Sequence, residues 1–134
     1  MTTSYALLDT SVLIDLERID LGVHVDSVLV TSAVCVGELA SGIATGPDPD
    51  VRQARLRRVL ERYEVMPYAV EEAKLYGVLN DRVRAVGRNP RPRRLNLQIA
   101  ATAAAARMPL LTCNPADFVG VAPLVDVVAV GRTG

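Results

Sequence analysis

The sequence predicts an α/β domain: a parallel sheet of about five strands, covered by helices on both faces. Three observations carry that expectation. Short apolar runs of strand length alternate with longer amphipathic stretches. A chain of 134 residues suits a single domain. Half of the residues are hydrophobic and 22% are charged, enough to fill a core and too apolar for a disordered chain.

The elements follow in order. "YALLD" reads as a buried strand ending at Asp9. In "TSVLIDLER", Val12, Leu13 and Leu16 stand at helical spacing, so Asp9 or Thr10 opens a helix. "DSVLVTS" is the second strand, and Ser32 is placed to cap the helix "AVCVGELASGI". The breakers of "TGPDPD" stop that helix. "PDVRQARLRRVLERY" is an Arg-rich helix with Val51, Leu56, Val59 and Leu60 as its apolar stripe. "EVMPY" is a brief strand and "VEEAKLYGVLNDRVRAVG" an amphipathic helix. "RNPRPRR" reads as a loop, because its prolines oppose helix. "NLQIAATAAAARM" is a helix with Asn96 at its head, where an amide makes a good cap. "PLLTC" is a strand, "NPADF" a turn, and "LVDVVAV" the last strand. There is no internal repeat and no second domain.

Composition narrows the functions. No apolar run approaches the roughly 20 residues that span a bilayer. "MTTSYALLD" lacks the basic start of a signal peptide. Cys35 and Cys113 have no metal-site spacing, so a cytoplasmic protein with reduced core thiols is expected. No Gly-rich phosphate loop is present, which argues against nucleoside triphosphate chemistry. His24, the one histidine, lies between elements and is set aside. Net charge is zero, but residues 1–50 carry eight acids and one base, whereas residues 51–107 carry thirteen bases and five acids. Such a division suggests a cation site on one side and a polyanion surface on the other, although solvated charged helices would produce it too.

In open α/β sheets, ligands bind outside the carboxyl ends of the strands. Asp9 ends the first strand there. Thr112 ends the fourth, with Asn114 and Asp117 just beyond it. Glu38 sits among Val34, Val36 and Leu39 on an apolar stretch of helix, where a carboxylate is costly without a partner or cation. Gly37 beside it removes a side chain at a cost in helix stability; either it allows close helix packing while Glu38 points to water, or Glu38 is buried, as its apolar neighbours favour. Asp9, Glu38 and Asp117 are expected to converge, and an oxygen-only set selects a hard cation, Mg²⁺ or Mn²⁺.

"LLDTSVLID", "TSAVCVGELASG", "LNLQIAATA" and "LLTCNPADF", in this order and spacing, resemble a PIN-domain ribonuclease, and more closely a VapC toxin of a type II toxin–antitoxin pair. The likeness spans nearly the whole chain. It implies a three-layer α/β/α PIN-like domain and Mg²⁺- or Mn²⁺-dependent cleavage of RNA by metal-activated water. The family's acids map onto Asp9, Glu38 and Asp117. Thr10, Ser11, Thr112 and Asn114 map as supporting groups. The third family acid falls on Asn96, whose amide oxygen can still ligate a cation but brings no charge. Asn96 is either native to a weaker site or an inactivating change. The resemblance further implies a cognate VapB-like antitoxin, a homodimer, and a structured RNA such as tRNA as substrate.

Arg88, Arg91, Arg93 and Arg94 are expected to clamp RNA phosphates. The Arg-rich helix either extends that track or faces solvent. Aromatic residues make up only 4% of the chain, so recognition should lean on phosphates and RNA shape. One rival is a catalytically impaired PIN module, crippled at Asn96, that binds RNA or its antitoxin without cutting. A second is a metal-dependent phosphatase, which would carry an acid where Ser11 stands.

Overall fold

In the computed structural model, residues 3–133 are described. Met1, Thr2 and Gly134 are not, so the first two residues of the stretch read against a signal peptide lie outside the described residues.

Five strands form the parallel sheet: β1 (Tyr5–Leu8), β3 (Val28–Ser32), β4 (Glu64–Met66), β5 (Leu110–Thr112) and β6 (Val127–Ala129). Their order is β4-β3-β1-β5-β6. β1 is therefore central, and the chain builds outward from it first to one side and then to the other. Leu7, Leu8, Val30, Leu110 and Leu111 are buried, as expected for strands covered on both faces. The register sets Leu8 beside Leu111, and the Asp9 amide donates to the Leu111 carbonyl at 3.2 Å. Asp9 and Thr112 thus leave the sheet side by side.

Five α-helices cover the sheet: α1 (Thr10–Leu13), α2 (Ala33–Ala40), α3 (Pro49–Arg62), α4 (Val70–Ala85) and α5 (Arg94–Ala106). α5 packs along α4, presenting Leu97, Ile99, Ala100, Ala101 and Ala103 as its buried residues. Its run of alanines permits close approach and helps the helix intrinsically. No helix among the described residues is long and apolar enough to cross a membrane.

Four details depart from the sequence expectation. The helix expected over residues 10–18 ends after one turn. Asp15 adopts a non-helical backbone (φ −141°), and Leu16–Arg18 form a separate 3-10 turn. Asp15 instead pairs with Arg132. α2 stops at Ala40, short of the expected Ile43. The basic loop is not wholly irregular, because Arg91–Arg93 form a 3-10 turn with Pro92 in its first positions, where a missing N–H does no harm. Finally, Ile19–Asp20 (β2) and Gly131–Arg132 (β7) make a small antiparallel ribbon that the sequence did not suggest. Two-residue strands are too short to show any periodicity.

Candidate active site

The strand order reverses direction between β1 and β5, and their carboxyl ends flank the crevice where open α/β sheets take ligands. Asp9 lies there, buried, as the N-cap of α1. Its Oδ1 accepts from the Val12 amide at 3.2 Å and from the Ser11 hydroxyl at 2.6 Å. Its Oδ2 accepts from the Thr112 hydroxyl. A carboxylate offers about four lone-pair sites. Three are filled, and the carboxylate is fixed in orientation with one site open.

The hydroxyls that hold Asp9 are themselves held. Ser11 Oγ accepts from the Cys113 amide at 3.0 Å, and Thr112 Oγ1 accepts from the Asn114 amide at 3.0 Å. Thr10 turns the other way and donates to Glu38 Oε1 at 2.7 Å, linking α1 to α2. Glu38 is half-buried, not enclosed. α2 is aimed by its cap, Ser32, which accepts from the Cys35 amide at 3.1 Å. Burial pushes the Cys35 thiol above its ordinary range, so it stays protonated behind the site.

Asp117 sits half-buried in a 3-10 turn, Pro115–Phe118, with its amide donating to the Asn114 carbonyl at 3.0 Å. Asn96 is not the cap of α5. The helix begins two residues earlier, so Asn96 lies half-buried within its first turn. Among the described residues, no three Asp, Glu, His or Cys side chains gather closely enough to hold a metal ion. The hydroxyl links join Asp9, Ser11 and Thr112, and separately Thr10 and Glu38. No side-chain hydrogen bond among the described residues ties Asp117 or Asn96 to either set.

Of the basic loop, Arg88, Arg91 and Arg94 are exposed. Arg93 is half-buried and donates to the Ala116 carbonyl at 2.8 Å, tying the loop to the turn that carries Asp117.

A groove of about 540 Å³ opens beside Glu38, lined by Val34, Gly37, Ser41, Leu95 and Gln98. A Cβ added at Gly37 would meet nothing within 4 Å, so close packing does not explain this glycine. Ser41, Leu95 and Gln98 were not singled out from the sequence. Their signal was present, since Val34, Glu38 and Ser41 share one face of α2 by helical spacing, as Leu95 and Gln98 share one of α5.

Solved structures share this architecture. VapBC-5 from Mycobacterium tuberculosis matches with a TM-score of 0.71 at 28% identity, over 94% of this chain and 98% of that one. The chain has the fold of a VapC-type PIN domain. VapBC2 from Rickettsia felis, solved bound to a DNA fragment from its promoter, matches at TM-score 0.73 and 21% identity, over 93% of this chain and 98% of that chain. DNA-bound VapBC from Salmonella typhimurium matches at TM-score 0.73 and 19% identity, over 96% and 98%. No protein-family model and no curated protein matches the sequence of this chain.

Proposed function

We propose that this PIN-like domain is a divalent-metal-dependent endoribonuclease, the toxin of a VapBC-type pair, working in the cytoplasm. The observation that carries the reading is the immobilised Asp9 carboxylate at the β1–β5 crevice, with one coordination site left open. Orienting a carboxylate by hydroxyls and a backbone amide is how a cation ligand is positioned in advance. Asp9 would be the direct ligand of Mg²⁺ or Mn²⁺, with Glu38, Asp117 and the Asn96 amide oxygen around it as oxygen donors to the ion or to its waters. The donor set fits, because Mg²⁺ keeps several waters and takes only one or two carboxylates besides substrate phosphate. Such an ion supplies Lewis acidity and lowers the pKa of water.

The chain's own groups do the rest. Ser11, Thr112 and the Val12 amide keep Asp9 aimed at the crevice, and Thr10 does the same for Glu38. Asn96 lowers the negative charge of the site by one relative to an aspartate, which weakens cation affinity. Arg88 and Arg91 before α5, and Arg94 at its first position, are exposed to take phosphates. The matching structures are named as VapBC complexes, which supports a VapB-like antitoxin as partner; the homodimer rests on the family resemblance alone.

The test is cleavage of structured RNA, tRNA included, with Mn²⁺ present. Asp9→Ala is expected to be inactive and Asn96→Asp to cut faster than the parent chain. Equal rates in all three would end the catalytic reading. The impaired binding module would show itself as RNA binding without cleavage, with activity appearing in Asn96→Asp.

A further inference from the structure

A second cleft, of about 320 Å³, lies between the segment following α1 and the C-terminal half of α3. Leu13, Leu16 and Val59 give it an apolar floor, and Arg18, Arg55, Arg58 and Arg62 line it. None of these arginines has an ion-pair partner among the described residues. Of the two acids in the lining, Asp15 is occupied by Arg132. Glu17 alone then opposes four guanidiniums. Arg18 is the one base in the acidic first part of the chain, and the fold brings it to the Arg-rich helix.

We propose that this cleft binds the phosphodiester backbone of an unpaired, single-stranded segment of a structured RNA, as an anchor separate from the Arg88–Arg94 loop. The ligand class rests on the ribonuclease reading above. Arg55, Arg58 and Arg62 recur at three- and four-residue spacing, so they share one face of α3. At about 1.5 Å per residue they cover roughly 10 Å, the axial rise of about three stacked nucleotides at about 3.4 Å each. Each guanidinium is a permanent charge with a fork that matches phosphate oxygens. Nucleic-acid interfaces are wet and strongly positive, and Arg18, Arg58 and Arg62 keep solvent exposure here.

The experiment measures binding of labelled single-stranded RNA to the full chain in EDTA, so that no cleavage intrudes, across a NaCl series. The variants are Arg55→Gln with Arg58→Gln, and separately Arg18→Gln, which enters the cleft from the opposite wall. Urea midpoints confirm that each variant is folded. Removing one arginine–phosphate pairing should flatten the log–log salt dependence by about 0.7. The double variant should therefore show a slope shallower by about 1.4 and bind at least tenfold more weakly at low salt. Unchanged slopes in both folded variants, or no RNA binding by the parent chain, overturn the proposal. So does a variant that keeps its RNA slope while failing to bind a polyglutamate peptide that the parent binds, which would assign the cleft to an acidic protein. If the slopes fall as expected while Asp9→Ala cleaves like the parent, the cleft stands and the nuclease reading alone fails.

Discussion

Asp9 serves as helix cap, buried acid and proposed cation ligand, and each role constrains the others. Its carboxylate cannot turn without releasing the Val12 amide, the Ser11 hydroxyl and the Thr112 hydroxyl together. Thr112 is the telling partner, since it lies 103 positions away and is fully buried. Thr112→Val keeps the shape but removes the donor to Asp9 and the acceptor for the Asn114 amide. Leaving buried polar groups unpaired costs about 1–3 kcal/mol. The variant should be destabilised by that amount in urea unfolding and lose RNA cleavage more than RNA binding. Parent-like stability and activity would mean that Asp9 needs no such support. The sequence disclosed Asp9, Ser11 and Thr112 as candidates. It could not disclose that the hydroxyls face the carboxylate, because that contact exists only once β1 and β5 are adjacent. Asn96 misleads for a related reason. A cap looks natural where the basic pair ends, yet the helix extends through Arg94 and Leu95 and leaves Asn96 in its first turn.

At the level of the elements, the strands and long helices were legible because burial on both sheet faces and on one helix face writes plain patterns. Legibility failed where the pattern is shorter than its period, as in β2 and β7. It also failed at Asp15, which leaves the helix and pairs with the distant Arg132. α2 carries the clearest element-scale prediction. Gly37 stands in mid-helix with open space where a side chain would go. Gly37→Ala should stabilise the domain by about 0.5–1 kcal/mol through helix propensity. It would also place a methyl at the mouth of the groove beside Glu38. Thermal unfolding should therefore shift upward while KM for RNA rises. A gain in stability with no change in KM would remove the groove from the substrate path.

For the whole molecule, the central position of β1 organises both stability and site. Cys35 on α2 lies in the same continuous core, with its thiol near the Leu8 carbonyl. Burial raises its pKa above the ordinary 9.0, and burial also raises those of Tyr63 and Tyr68 above 10.0. The folded chain thus holds these protons more tightly than the unfolded one. Their contribution to stability is complete below about pH 9 and fades as pH climbs through the raised values. Urea midpoints should be level up to that point and fall beyond it, with a gentler fall in Cys35→Ala. A midpoint that rises above about pH 9 would contradict the assignment.

The last consequence concerns the order in which a ribosome makes the chain. Asp9 emerges early, but the strand that orients it, β5, begins only at Leu110. Synthesis runs from the N-terminus and domains fold as units. On the proposed reading, a nascent chain carries Asp9 without the partner that aims it until Thr112, 103 positions later, has been added. The ribosome producing it would be shielded from its chemistry until β5 has been made.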